Sequence, residues 1–150
     1  RRAAVAPADE RPRDPRGDYV EAEDAFYLGT IAGGFFGNNR GASGRQCVAR
    51  QWGASADHWL SVPVEAKFSG AGRVRIRYAC PNDAHLRVRL RRGEEVVFES
   101  ERVQLPTTAG SEEWAWFDVP VPRLARGVLH VDLLEPSGAP CIDVVGLAPR

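Results

Sequence analysis

Short runs of alternating apolar and polar residues follow one another along most of this chain. In the clearest, 73–80, apolar side chains alternate with arginines, and 85–91 repeats the pattern. Because strand side chains alternate between faces, each run predicts a β-strand with one apolar and one basic face. Strands are predicted at 19–23, 26–31, 46–51, 58–65, 73–80, 85–91, 95–100, 114–121, 128–134 and 141–147.

Clusters of glycine, proline and asparagine separate these runs, as at 37–39, 81–83 and 106–110. No window keeps apolar residues at helical period for three turns. Many short strands with turns between them predict an all-β chain, folded as a two-sheet antiparallel β-sandwich or jelly roll.

The short loop from Cys80 to His85 predicts that 73–80 and 85–91 are neighbours in one sheet. Their arginines would then share a face: Arg73, Arg75, Arg77, Arg87, Arg89 and Arg91. Such a face suits anionic sugars such as uronic acids, because a guanidinium group binds carboxylates through a planar fork. We favour the simpler interpretation, a solvated face whose arginines pair with glutamates of the next strand: Glu94, Glu95, Glu99 and Glu101.

Length and charge limit the possibilities. The chain has 150 residues, enough for one domain with a substantial core. Twenty basic and twenty acidic residues cancel, so charge favours neither nucleic acid nor membrane as a partner, and no apolar run is long enough to span a bilayer. Residues 1–18 have the proline-rich, charged composition of a flexible linker, which implies an upstream domain or a processed leader. We predict that the β domain covers 19–150.

Acidic residues mark the first and last predicted strands. Glu21 and Glu23 share one face of the first strand, about 7 Å apart, and Asp143 interrupts the apolar last strand. The residues alone allow two interpretations: an exposed edge with solvated carboxylates, or a site for a hard cation such as calcium, which binds six to eight oxygens.

Four ordered segments resemble a known family. They are Glu-Ala-Glu at 21–23, Gly-Ala-Ser-Gly at 41–44, the 70–79 run, and Ile-Asp-Val-Val at 142–145. Together they look like the non-catalytic carbohydrate-binding modules of families six and thirty-five, which share a galactose-binding-like β-jelly roll. The resemblance runs from about Tyr19 to Pro149. It implies a secreted or cell-surface module, within a larger multidomain protein, that targets a parent enzyme or surface protein to a polysaccharide or glycan.

The resemblance also implies a structural calcium ion. Its side-chain ligands would be Glu21, Glu23 and Asp143. Main-chain carbonyls of Arg40 and Gln46 would complete the shell, and the ion would stabilise the fold.

Tryptophans are the candidate sugar platforms. Trp114 and Trp116 lie opposite the apolar face of 114–121, either displayed for binding or buried under a loop. The resemblance makes Trp114 the stacking ring. Arg50 stands where a second ring is usual, unless Trp52 replaces it, and Asn82 is a further candidate contact. Trp59 is predicted to pack.

Three cysteines allow one disulfide and one thiol in an oxidising compartment. The resemblance places Cys80 and Cys141 near the sugar-binding loops and implies that they are bridged, with Cys47 a buried thiol. Cys141 also stands where the family has an asparagine.

We find no catalytic motif, because the three histidines are scattered and Glu112 and Glu113 suit a solvated turn. The leading hypothesis is therefore a calcium-stabilised carbohydrate-binding module. The alternative is a structural or protein-interaction jelly roll that has lost sugar binding. A small carbohydrate-active enzyme is a distant third.

Overall fold

The structure is a computed structural model that describes residues 13–22, 26–27, 36–38, 42, 46–48, 52–110 and 113–150. Eleven β-strands make up most of this described part of the chain. The strands are β1 (Asp18–Glu21), β2 (Phe26–Tyr27), β3 (Phe36–Asn38), β4 (Gln46–Val48), β5 (Trp59–Ala66), β6 (Gly70–Ala79), β7 (Ala84–Arg92), β8 (Glu95–Leu105), β9 (Ala115–Leu124), β10 (Gly127–Ser137) and β11 (Cys141–Pro149). In these residues, no helix is long and apolar enough to cross a membrane.

The strands form two antiparallel sheets. The six-stranded sheet has the order β3-β4-β11-β6-β9, and β1 also pairs with β11. The five-stranded sheet has the order β2-β5-β10-β7-β8. The predicted all-β antiparallel sandwich is therefore confirmed.

The core lies between the two sheets and is built from the apolar faces predicted by alternation. Val74, Ile76 and Tyr78 of β6 are buried in it, with every second residue of β7 from Ala84 to Leu90. Each sheet consequently has an outer face, directed away from this core, that carries the intervening side chains.

The predicted pairing of β6 with β7 is wrong. β6 lies between β11 and β9, whereas β7 lies between β10 and β8 in the other sheet. The 80–83 loop crosses from one sheet to the other, so that the arginines of the two strands occupy opposite outer faces of the sandwich. There is no single six-arginine face.

Two strands share one edge of β11. β1 pairs with it from Asp18↔Leu147 to Glu21↔Val144, and β4 pairs with it at Ile142↔Val48. The register of β11 against β6 shifts between Ile142 and Val144, so Asp143 is the extra residue of a bulge. Asp143 thus lies where β1 ends and β4 begins.

Candidate functional site

Four connections meet at one end of the sandwich, here called the loop end. Within the described chain they are 52–58, 80–83, 106–110 and 138–140. Thr108 N donates to Cys80 O at 2.7 Å, and Cys80 N donates to Thr108 Oγ1 at 3.0 Å. Ala139 N donates to Gly53 O at 3.3 Å. These bonds hold the loops in pairs, and the 106–110 connection leads towards Trp114.

Trp114 lies on the outer face of the six-stranded sheet at the loop end. Ile76 pairs with Phe117 on the core side, so the intervening Arg77 and Trp116 point outward, as does Trp114 two residues earlier. The guanidinium carbon of Arg77 is 5.0 Å from the Trp114 ring centroid. Trp114 itself is half-buried.

Arg77 is held in place by a buried ion pair. Its Nη1 lies 2.5 Å from Oδ2 of Asp143, and the two side chains are 6% and 0% exposed. A charge pair so thoroughly removed from water is rigid, since either group left alone would carry a desolvation penalty of several kcal/mol. The bulge at Asp143 therefore fixes Arg77, and Arg77 supports the ring of Trp114.

Trp116 packs within the same outer face. The guanidinium carbon of Arg75 lies 4.5 Å from its ring centroid, and Tyr19 packs against it edge-to-face at 5.8 Å. Its indole Nε1 is buried and has no hydrogen-bond partner in the described residues. Trp116 is half-buried, as Trp114 is, and its ring packs on Arg75 and Tyr19, so its sugar contact stays a prediction.

The last described residues before β1 also lie on this face. Asp14 accepts a hydrogen bond from Arg73 Nη2 at 3.4 Å, and Tyr19 Oη accepts one from Asp14 N at 2.8 Å. Hydrogen bonds from the Arg16 side chain, and then its backbone, hold the pKa of Asp14 well below its usual range. Residues 13–17 thus contact the sheet, whereas 1–12 lie outside the described residues.

Only some of the predicted calcium ligands lie among the described residues. Glu21 and Asp143 come together at the β1–β4 junction, with Glu21 half-buried. Glu23 and Arg40 lie outside the described residues, and Gln46 is described only as part of β4. In the described chain, no group of three or more His, Cys, Asp or Glu side chains is arranged to hold a metal.

Two of the remaining predicted sugar contacts can be located. Trp52 is completely buried, and its Nε1 donates to Trp59 O at 3.2 Å, so the prediction that it replaces a stacking ring is wrong. It fills the core beneath the 52–58 loop, where a large aromatic buries more apolar area than a smaller residue could. Asn82 is exposed in the 80–83 loop, and Arg50 lies outside the described residues.

The predicted Cys80–Cys141 disulfide is absent. None of the three cysteines, all within the described residues, is in a disulfide. Cys80 points into the core, where burial raises the pKa of its thiol. Cys141 pairs in register with Ala79 and so points to the outer face. A hydrogen bond from Cys47 lowers the pKa of Cys141, against the opposing effect of burial.

A second polar cluster lies on the outer face of the five-stranded sheet. Asp132, 2% exposed, accepts hydrogen bonds from Arg89 Nε at 2.8 Å, Arg91 Nε at 2.6 Å and Ser61 Oγ at 2.7 Å. Burial alone would raise the pKa of Asp132, but the hydrogen bonds from Arg91, Ser61 and Arg89 outweigh it and lower the pKa. Arg89 and Arg91 of β7 thus share one buried carboxylate within their own sheet, and Arg87 pairs with Glu99 and Glu135.

Trp59 is a further aromatic whose predicted position is wrong. It is 40% exposed at the start of β5, opposite Leu134 on β10. The alternation of β5 predicts this exposure, because Trp59 lies on the same face of the strand as exposed Glu65. The core residues of β5 lie on the opposite face. Trp59 is therefore a second accessible indole, on the opposite outer face from Trp114.

Comparisons with known proteins bear on the fold. No family profile matches the sequence, and no curated protein does. The chain matches the solved C-terminal CBM6 of LamC, a marine laminarinase from Zobellia galactanivorans, with a TM-score of 0.67 and 20% identity over 88% of this chain and 98% of that one. It matches CBM6cm-2 of Cellvibrio mixtus lichenase 5A, solved with cellotriose, with a TM-score of 0.66 and 18% identity over 88% and 96%.

A longer enzyme contains a similar unit. The isomalto-dextranase of Arthrobacter globiformis T6, solved with panose, matches with a TM-score of 0.72 and 20% identity over 91% of this chain. The match spans 24% of that enzyme chain. At these identities the comparison concerns architecture. The chain has the jelly-roll fold of family-six carbohydrate-binding modules.

Proposed function

We propose that this chain is a non-catalytic carbohydrate-binding module whose sugar platform is Trp114 at the loop end. The observation that carries the proposal is the half-buried indole of Trp114, supported by Arg77 and, behind it, by buried Asp143. A platform that is rigid before the ligand arrives loses little conformational freedom on binding. The fold shared with two complete family-six modules supports the same function.

Binding at this platform uses ordinary sugar chemistry. A pyranose ring presents an apolar C–H face that packs on a flat indole, while polar side chains bind its hydroxyl groups. Asn82 is exposed in the loop that follows β6, the strand of Arg77, and its amide can both donate and accept hydrogen bonds. Arg77 is already paired with Asp143, so the geometry favours neutral over anionic sugars at this position.

The test is affinity electrophoresis against neutral β-glucans, α-glucans and polygalacturonate, followed by a glycan array. Trp114→Ala should abolish retardation by the bound glycan, and Trp59→Ala is the matched control because it removes an accessible indole from the opposite face. Loss of binding only in Trp59→Ala would overturn the assignment to Trp114. Absence of binding by the unsubstituted chain across the array would favour the alternative, a structural or protein-interaction jelly roll.

The proposal includes a structural calcium ion. Glu21 and Asp143 bring two carboxylates from neighbouring strands to one junction, and hard oxygen donors of this kind suit calcium. Arg77 already neutralises part of the charge of Asp143, so calcium would share that carboxylate with it. The ion would tie the end of β1 to the β11 bulge. Its role would be stability and not chemistry.

Chelation tests the calcium proposal directly. EDTA should lower the melting temperature of the chain, and excess calcium should restore it, whereas excess magnesium should not. Asp143→Asn should remove this calcium response. An unchanged melting temperature in EDTA, with no calcium found by elemental analysis, would contradict the proposal.

We further propose that the module is secreted or exposed at a cell surface and targets a larger multidomain protein to its polysaccharide. The matched unit within the Arthrobacter enzyme supports such an arrangement. A fusion of this chain to a fluorescent protein should be retained on the insoluble form of the glycan it binds. A Trp114→Ala fusion should wash off.

A further inference from the structure

Cys47 and Cys141 lie on the same face of the six-stranded sheet. Val48 of β4 pairs with Ile142 of β11, and both of these side chains are in the core. Because consecutive strand residues alternate, the residues next to them point to the outer face. Cys47 and Cys141 are those residues, on adjacent strands and diagonal to each other, and a hydrogen bond joins their thiols.

Cys80 is separated from this pair by the sheet itself. Its Sγ lies 3.5 Å from Pro106 O, and the side chain belongs to the core cluster. Its neighbour Ala79 is the register partner of Cys141, so Cys80 and Cys141 point to opposite faces. A disulfide between them would require one strand to rotate, whereas Cys47 and Cys141 already share one face of the sheet.

We propose that Cys47 and Cys141 form a reversible disulfide that fastens β4 to β11 beside the loop end. The Cα atoms of a disulfide usually lie within about 7 Å, a separation that diagonal neighbours on adjacent strands approach. Cys141 is the accessible member, because it is partly exposed while Cys47 is fully buried. This proposal does not depend on the proposed sugar binding.

The oxidant is a small-molecule disulfide such as glutathione disulfide. The thiolate of Cys141 attacks one of its sulfurs, forming a mixed disulfide and releasing one glutathione thiolate. The sulfur of Cys47 then attacks Cys141 Sγ, forming the protein disulfide and releasing the second glutathione. The two protein thiols lose two electrons and two protons, and the two glutathione thiols gain them.

The bond would reinforce a weakly paired strand. The described pairing of β4 with β11 is the single register pair Ile142↔Val48, although β4 also pairs with β3. Oxidation should therefore raise the melting temperature by roughly 5 to 15 °C, the shift expected for a disulfide that closes a long loop in a chain of this size. Reduction should reverse the shift.

Tryptic mapping distinguishes the possible linkages, because cleavage after arginine leaves each cysteine in its own peptide. The peptides are 46–50, 78–87 and 127–150. After equilibration with glutathione disulfide and alkylation, 46–50 should be joined to 127–150, with 78–87 alkylated. Linkage of 78–87 to 127–150 would overturn the proposal. So would the recovery of all three peptides unlinked, each with its cysteine alkylated or bound to glutathione.

Cys80→Ser is the matched control. It should keep both the linkage and the redox-dependent melting shift, whereas Cys47→Ser and Cys141→Ser should lose both. A redox-dependent shift that survives in Cys47→Ser would also overturn the proposal. If Cys47→Ser or Cys141→Ser fails to fold, the peptide map of the unsubstituted chain alone decides whether Cys47 and Cys141 form the disulfide.

Discussion

Replacing Asp132 with asparagine perturbs a buried carboxylate that accepts four side-chain hydrogen bonds. Three side chains donate to it: Arg91 through Nε and Nη2, Arg89 through Nε, and Ser61 through Oγ. Asparagine has nearly the same shape but no charge, and its amide group places an N–H where a guanidinium now donates. The substitution therefore removes the anion and leaves two cations beside each other.

The expected loss of stability depends on how deeply the carboxylate and the two guanidinium groups are buried. Removing one partner of a fully buried ion pair costs about 3–5 kcal/mol. Here Asp132 is 2% exposed, but the side chains of Arg89 and Arg91 are 31% and 24% exposed, so water can partly solvate the guanidinium groups left behind. We expect Asp132→Asn to lower the free energy of unfolding by about 2–3 kcal/mol, which is roughly 4–12 °C in melting temperature for this chain length.

The effect should depend on pH in a defined direction. The pKa of Asp132 is lower in the folded chain than in the unfolded chain. Its contribution to stability is therefore complete above about pH 4, the pKa of an unfolded aspartate, and is lost as pH falls through the lowered folded pKa. The stability difference between the unsubstituted chain and Asp132→Asn should shrink in acid.

Urea unfolding followed by tryptophan fluorescence measures both effects. Glu99→Gln is the control, because Glu99 pairs with Arg87 on the same sheet at 3.4 Å but is 48% exposed. Surface pairs of this kind contribute at most about 1 kcal/mol. If Asp132→Asn proves no more destabilising than Glu99→Gln at neutral pH, the assignment of the buried cluster as a stabilising network is wrong.

Three further substitutions test a buried hydrogen bond, a loop glycine and a core aromatic, each by urea unfolding. Tyr78→Phe should cost about 1 kcal/mol, because Tyr78 Oη donates to Pro106 O at 2.6 Å. Burial raises the pKa of Tyr78 to about 12, so this contribution should fade as pH rises from about 10 through 12, and a flat alkaline profile would contradict it. Gly138→Ala should lower the free energy of unfolding by more than about 1 kcal/mol, since Gly138 has φ +81° and a Cβ would collide with the Asp83 backbone. An unchanged stability would show that the loop rearranges to accept the Cβ. Trp52→Ala should cost about 3–5 kcal/mol, and a smaller loss would place Trp52 outside the core.

Strand positions could be predicted from the sequence because alternation is a local property. All ten predicted runs contain strands, although β3 lies in a segment whose Gly37 and Asn38 suggested only a turn. Pairing is not local. A four-residue connection such as 80–83 fits a hairpin as well as a crossing between sheets, and only the partners of β6 and β7 decide which occurs.

The candidate site was predictable where it depended on parity within one strand. Trp114 was placed correctly away from the core, and the same parity argument, applied to β5, would have shown Trp59 to be outward-facing. Pairing of Asp143 with Arg77 could not be predicted, because it joins residues 66 positions apart across a bulge. The faces of Cys80 and Cys141 likewise depend on the β6–β11 register, which no single strand reveals.

The central claim, that a glycan stacks on Trp114, is tested most directly by NMR of the indole N–H groups. The chain has four tryptophans, and single Trp→Phe variants assign their four resonances. On titration with the glycan identified by the array, the Trp114 resonance should shift in a saturable way, while that of buried Trp52 should stay in place. A saturable shift confined to Trp59, or no shift at any indole, would contradict the claim.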